Sequence, residues 1–399
     1  MNVLYLNHSE QMSGAENSLR ALLWQLRRAH SDIEPIIALP GSGPFSQTLR
    51  DEGWNVTFAP LRRVQRPQGV LSGMTTLVHI LRTAPFVAHL ADKTRCDIIH
   101  SNSTTAHLVG GLAGERTGKP TLWHARDLVS LGNIAPALAH RASVIVAISG
   151  CVAERLQSDG IPADKIRVIH NGLDTDEWQP RESSLRESIA LAPDSFLFGC
   201  AAQLVPWKNQ STFIEAAALL AQDERCARAR FAILGGDLWG EHRDYAAQLR
   251  EQIKQHHLQD RFNFVPHQSD NVAALSALDA VVLPSLEEPF GRVIMEGMAL
   301  SKPVIAFGAN GPLEIVTHEH DGLLVTPDSV AQANAEALAK AMKRVLHDAE
   351  LAHSLGANGR TTVVERFHIR ESAASISSIY HELGARDSGA AQSVGAADL

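Results

Sequence analysis

In the stretch EEPFGRVIME, residues 287–296, two acids precede a Pro-Phe-Gly turn and an apolar helical pattern that carries a third acid. The pattern predicts a loop that delivers Glu288 and Glu296 to the mouth of a sheet. Loops after other apolar runs hold Gly14, His100, Asn102, His124, Arg126, Asn171, Lys208, Gly235 and Gly236. Carboxylates accept paired hydrogen bonds from hydroxyls, and cationic side chains with free N–H groups hold phosphate oxygens. The set is therefore rich in hydroxyl- and phosphate-binding chemistry and poor in metal ligands. Cys96, Cys151, Cys200 and Cys226 are far apart and form no CxxC pair, which argues against a disulfide framework or a zinc site.

These loops need a scaffold, and the chain repeats one pattern that supplies it: a short apolar run, a turn, then an amphipathic helix. Strands are predicted in NVLYLNH, PIIALP, NVTFAP, CDIIHSN, KPTLWHARD, ASVIVAIS and KIRVIHNGLD, and again in SFLFGCAAQ, RFAILGGD, RFNFVPH, AVVLPS, KPVIAFG and GLLVTP. Such alternation predicts parallel α/β sheets with helices on both faces. At 399 residues the chain is long enough for two such domains. A polar stretch from Asp176 to Asp194 reads as the linker, which gives a first domain at 1–176 and a second at 177–365. A helix at 366–384 is expected to cross back to the first domain, with a small, polar and disordered tail at 385–399. Asn171-Gly172 reads as a tight turn near the hinge. Ligands of such sheets bind outside the carboxyl ends of the strands, where the residues named above fall.

The net charge is −8. Residues 1–176 hold 17 basic against 15 acidic residues and the remainder 19 against 29, so the two parts face different surfaces. This balance argues against a nucleic-acid partner. The N-terminal segment lacks a basic region and a long apolar run, and no stretch approaches the ~18 apolar residues of a membrane span. A soluble, cytoplasmic chain is expected.

The segment LPSLEEPFGRVIMEGMALSKPVIA (283–306) resembles the signature of retaining glycosyltransferases of family four, which have the GT-B fold. Two glutamates separated by seven residues mark that signature, matched here by Glu288 and Glu296 with Phe290 and Gly291 between them. SGAE (13–16), DIIHSN (97–102), IRVIHNGLD (166–174), GCAAQLVPWKN (199–209), GANGPLEIV and DGLLV (308–325) follow in the family's order. The resemblance covers about residues 1–370 and implies two Rossmann-like, doubly wound domains facing across a cleft. It implies a nucleotide-sugar donor, UDP- or GDP-linked, and a glycan, lipid-linked or small-molecule acceptor.

By the same resemblance Glu288 reaches the sugar and Glu296 the ribose hydroxyls, while the helix N-terminus at Gly291, Arg292 and Val293 faces the phosphates. Lys208 contacts the diphosphate, Gly14 approaches it from the first domain, and Glu314 lies in a turn near the donor. His124 sits beside the reacting sugar, and His100, Asn102 and Arg126 line the acceptor side. Where the family usually has Arg five residues before the lysine, this chain has Gln203, which leaves Arg292 or another residue to supply a second cation. As a loop carboxylate, Glu288 is expected to be dispensable for the fold. The family is thought to react from the front face of the sugar, with the leaving phosphate taking the acceptor's proton. The sequence is read as lacking an Asp-x-Asp metal motif, so no metal and no other cofactor is expected. Rival readings are a GT-B sugar-nucleotide epimerase, a catalytically weak sugar-binding homologue, and a dehydrogenase, whose GxGxxG fingerprint is missing. Arg62, Arg63 and Arg66 precede an apolar helical run with Leu71, Met74, Leu77, Val78 and Leu81, a pattern that fits either a helix packed on the sheet or a peripheral membrane contact.

Overall fold

The computed structural model describes residues 1–64, 70–268 and 270–395, except for the side chains of residues 70–72 and 386–395. The chain forms two compact units, residues 1–172 with 369–399, and residues 173–368.

In the first unit seven strands run parallel: β1 (Asn2–Leu6), β2 (Glu34–Leu39), β3 (Asn55–Phe58), β4 (Ile98–Ser101), β5 (Thr121–Ala125), β6 (Val144–Ala147) and β7 (Ile166–Val168). Their order is β3-β2-β1-β4-β5-β6-β7. In the second unit β8 (Phe196–Ala201), β9 (Ala229–Leu234), β10 (Phe262–Val265), β11 (Ala280–Leu283), β12 (Val304–Phe307) and β13 (Leu323–Val325) take the order β10-β9-β8-β11-β12-β13. Every pairing is parallel, and β4, β5, β6, β11 and β12 are buried along their full length. Strands covered by helices on both faces read as unbroken apolar runs, which is why the sequence pattern locates them; the edge strands β3 and β7 are part-exposed. Strand order reverses between β1 and β4 in one unit and between β8 and β11 in the other, and each reversal opens a crevice at the carboxyl ends.

The helical pattern after Val330 resolves into helices Ala331–His347, Ala349–Arg366 and Ile369–Gly395. The last packs on the first unit, where Ala373, Ile376, Tyr380 and Leu383 join Val3, Tyr5, Leu19 and Leu23 in one core. Each buried apolar side chain there is worth about 1.5–3 kcal/mol. The helix continues to Gly395, past the start of the predicted disordered tail at 385; the small residues Ala385, Ala390 and Ala391 do not oppose helix.

The stretch read as a linker is not free. It belongs to the second unit, buries Trp178 and Leu185, and is clamped by Arg186, which donates to Ala277 O (2.8 Å) and Asp279 Oδ2 (3.0 Å). The unit boundary therefore falls at Gly172 rather than after Asp176. At Gly172 a side chain would collide with the backbone of Ile369.

Candidate functional site

At the reversal point of the second unit, Lys208 follows β8 and Glu288 follows β11. Lys208 Nζ donates to Glu288 Oε2 at 2.6 Å, with the side chains 14% and 8% exposed. Two further bonds hold the loops that carry them. Asn209 Nδ2 donates to Pro284 O (3.0 Å), joining the Lys208 turn to the loop after β11. Gly311 N donates to Glu288 O (3.0 Å), and any side chain at Gly311 would collide with the Phe290 backbone. Phe290 packs edge-on against Phe367, and Lys208 Nζ also lies 4.1 Å from the Trp207 ring centre.

Gly291 has φ +100°, a conformation that a side chain would strain, and turns the chain into helix Arg292–Ala299. One turn on, Arg292 Nε donates to Glu296 Oε1 at 2.6 Å. Burial pushes the Glu296 carboxyl up, and the Arg292 charge and hydrogen bond draw it back. Arg292 is thus held beside Glu296 through Nε. Val293 is half-buried in the first turn of the same helix. Gln203 is half-buried after β8, its carbonyl accepting from Gln210 Nε2 (2.7 Å). Glu314 lies in the short helix Pro312–Ile315, and its carbonyl accepts from Arg366. Gly235 and Gly236 follow β9; a Cβ on Gly235 would strike the Ala202 carbonyl.

In the first unit the residues at the strand ends join one buried polar network. Arg126 donates to Asn102 Oδ1 from Nε (3.1 Å) and Nη2 (2.8 Å), and to Asn171 Oδ1 from Nη1 (2.9 Å). Asn102 Nδ2 donates to Asn7 Oδ1 (3.0 Å), and Asn7 Nδ2 to Glu16 Oε1 (3.1 Å). The Glu16 carboxylate closes on the backbone N–H of Ser13 (3.1 Å) and on its hydroxyl, capping helix Gly14–Ala29. Gly14 is exposed with open space above its Cα. On the other side of Arg126, His124 Nδ1 lies 3.4 Å from Arg126 Nη2 and 3.2 Å from His100 Nε2. His100 Nδ1 lies 2.6 Å from Tyr380 Oη, itself 2.6 Å from Tyr5 Oη. Burial, reinforced by the Arg126 charge, holds both histidines well below the usual imidazole range.

His100 and Asn102 are thus wholly buried and engaged with neighbours. A cavity of about 20 Å³ lined by Ser18, His124, Arg126, Asn171, Ile369 and Ser372 has room for a water-sized group and not a sugar ring. Sequence reasoning missed Asn7, Glu16, Tyr5 and Tyr380. Ser13-x-x-Glu16 has the capping-box spacing that marks Glu16. Nothing local marks Tyr380.

The reading that the chain lacks an Asp-x-Asp pair needs correcting. Asp174-Thr175-Asp176 has that spacing, and with His368 it offers ligand atoms within 4.8 Å of one another. Among the described residues no other set of His, Cys, Asp and Glu has the geometry to hold a metal ion. Asp174 Oδ1 already accepts the Asp176 N–H (3.2 Å).

Residues 12–177 match the family model for Glycosyltransferase Family 4, and residues 182–362 that for Glycosyl transferases group 1. The chain is 27% identical over 359 residues to D-inositol 3-phosphate glycosyltransferase of Saccharomonospora viridis, covering 84% of this chain and 80% of that one. It is 26% identical over 363 residues to the UDP-Gal:alpha-D-GlcNAc-diphosphoundecaprenol alpha-1,3-galactosyltransferase of Escherichia coli, covering 86% and 87%. The crystal structure of Anabaena HepE in complex with UDP-glucose superposes with a TM-score of 0.81 at 26% identity, covering 96% of this chain and 100% of that one. With one family model on each unit and both sheets in the same doubly wound order, the chain belongs to the family four glycosyltransferases of GT-B fold.

Proposed function

We propose that this glycosyltransferase moves a sugar from a UDP-sugar to a hydroxyl of a glycan, lipid-linked or small-molecule acceptor, with retention at the anomeric carbon. The Lys208–Glu288 pair at the reversal point of the second unit carries this reading. A lysine held there faces the developing charge of a leaving diphosphate, and a carboxylate beside it accepts from sugar hydroxyls. Glu296 takes ribose hydroxyls while Arg292 holds it in place. HepE, similar over its whole length, binds UDP-glucose in its crystal structure, which favours uridine over guanosine in the donor. Chemistry proceeds on the front face, the departing phosphate oxygen accepting the acceptor's proton. The protein contributes position and charge rather than a covalent intermediate.

A thermal-shift panel of nucleotide sugars tests the donor, since a ligand at about 100 times its Kd adds about 2.7 kcal/mol. UDP-sugars are expected to raise the melting temperature, and the product's anomeric proton coupling is expected to match the donor's. No shift with any nucleotide sugar, together with no transfer and no donor hydrolysis, would refute the assignment.

Turnover is also proposed to be independent of metal, with Lys208 carrying the charge. EDTA is expected to leave the rate unchanged. A loss with EDTA that Mg²⁺ or Mn²⁺ restores would bring Asp174, Asp176 and His368 into the reaction.

A lipid-linked acceptor is favoured by the face of helix Val70–Lys93. Ile80, Ala84, Val87 and Ala91 pack on the first unit's sheet, whereas Met74 and Leu77 are 58% and 55% exposed, with Val78, Leu81 and Phe86 beside them. The apolar stripe is therefore not the packed face. Arg62 and Arg63 are exposed ahead of it, while Arg66 and the Leu71 side chain lie outside the described residues. Among the described residues no helix is long and apolar enough to cross a membrane. Such a stripe suits insertion at an anionic surface, each arginine adding about 1 kcal/mol. Vesicles containing phosphatidylglycerol are expected to co-sediment the protein at low salt, and Leu77→Ser/Leu81→Ser to release it. Wild-type protein remaining in the supernatant would point to an acceptor reached without this face.

A further inference from the structure

Tyr5, Tyr380, His100 and His124 form a single file of hydrogen-bonding atoms with Arg126 at one end. The guanidinium has no acceptor, so it can only donate to His124 Nδ1. That nitrogen is then the unprotonated one, and the proton of His124 sits on Nε2. His100 Nε2, 3.2 Å from the same Nδ1, must in turn donate. His100 Nδ1 is left as an acceptor, and the Tyr380 hydroxyl donates to it at 2.6 Å. Tyr380, its proton so used, accepts from Tyr5 at 2.6 Å. Every position in the file is satisfied in one direction only. The one atom left over is His124 Nε2, which is buried without a hydrogen-bond partner.

We infer that Tyr380, on the last helix, fixes His124 as the Nε2–H tautomer, so that His124 is a hydrogen-bond donor to an oxygen of the bound substrate and not a base. This rests on the glycosyltransferase reading only for the identity of that oxygen. An unpartnered buried donor lowers stability, and an oxygen acceptor small enough for the water-sized cavity that His124 lines, from a ligand or from water, completes it. A sugar hydroxyl or carbonyl oxygen meets the requirement, whereas a group with only N–H to offer does not. Burial keeps both imidazoles neutral, as a tautomer-based role requires. Tyr380 is thus a positioning residue that acts through His100. It reaches His100 from 280 positions further along the chain.

Nitrogen-15 NMR of histidine-labelled full-length protein reads the tautomer directly, with His124→Asn identifying the signal among the nineteen histidines. Wild type is expected to show His124 protonated at Nε2 and bare at Nδ1. A proton on Nδ1 overturns the inference. Tyr380→Phe removes the donor to His100 and is expected to give His124 a mixture of tautomers. Turnover falls about 10-fold or more with it, because a wrong tautomer withdraws the donor hydrogen. Tyr5→Phe leaves the Tyr380 hydroxyl free to donate and is expected to keep the wild-type tautomer. An unchanged His124 signal in Tyr380→Phe, or equal disturbance by Tyr5→Phe, would show that the file does not run in this direction. Should Tyr380→Phe fail to fold, the wild-type and Tyr5→Phe spectra still decide. The spectra need no substrate, so a failed transfer assay would count against the enzyme reading and leave the tautomer test standing.

Discussion

Lys208→Ala is expected to lower turnover about 10²–10³-fold, the scale of removing one charge-stabilising donor from a transition state. Glu288→Ala is expected to remove detectable transfer. The ion pair adds a second consequence that the loop position of Glu288 does not suggest. Both side chains are largely buried and 2.6 Å apart, so deleting either leaves the other charge stranded. Breaking such a pair costs about 3–5 kcal/mol, whereas removing both partners is far milder. Each single variant is therefore expected to melt well below wild type, and Lys208→Ala/Glu288→Ala to melt above at least one of them while remaining inactive. A urea-denaturation cycle on the four proteins, run beside the transfer assay, measures both. Additive stability losses would show that the pair is not coupled. Lys208→Ala turnover within about threefold of wild type would show that another cation faces the diphosphate.

The same pair shows how much of the site the sequence reveals. Lys208 and Glu288 are each legible from motif and from their place after a strand. Their contact across 80 positions is not, because it depends on the order in which β8 and β11 lie side by side. Strands were legible for a simple reason: in a parallel sheet covered on both faces they are unbroken apolar runs. Residues 176–194 misled because their polar composition hides Trp178, Leu185 and the clamp made by Arg186, three side chains that suffice to tie them to the second unit. On helix Val70–Lys93 an apolar stripe at helical spacing predicts burial and exposure equally well, and only packing shows that Ile80 and Ala84 face inward and Leu77 outward. Tyr380 had no signal at all, since a tyrosine at a core position of an amphipathic helix reads as packing alone.

Lowering the pH from about 7.5 to about 5 is expected to destabilise the first unit, by several kcal/mol in sum. Five of its histidines, His8, His79, His100, His107 and His124, are held below the usual imidazole range chiefly by burial, while His381 is raised by its bonds to Ser377 O and Asp32. His107 is pushed down to about 4, with Arg141 adding to the effect and the bond to Leu138 O opposing it; His8 is pushed down to about 4 with help from Arg63. His100 and His124 lie in the same direction. The unfolded chain protonates these groups near 6.5. Between there and about 4 it binds more protons than the folded chain, so stability falls as pH falls. Wholly buried His107 alone contributes about 3 kcal/mol by the lower limit of that window, and part-exposed His8 less. Glu16 and Asp127 work the other way, since burial raises both carboxyls and the folded state takes up their protons first. Urea midpoints at steps of pH measure the slope, and a midpoint that holds or rises on acidification would refute it. His107 Nε2 donates to Leu138 O at 3.1 Å, a bond that the side-chain amide of His107→Gln can reproduce without a titrating nitrogen. That variant is expected to flatten the acid side of the profile while changing the midpoint little at about pH 7.5.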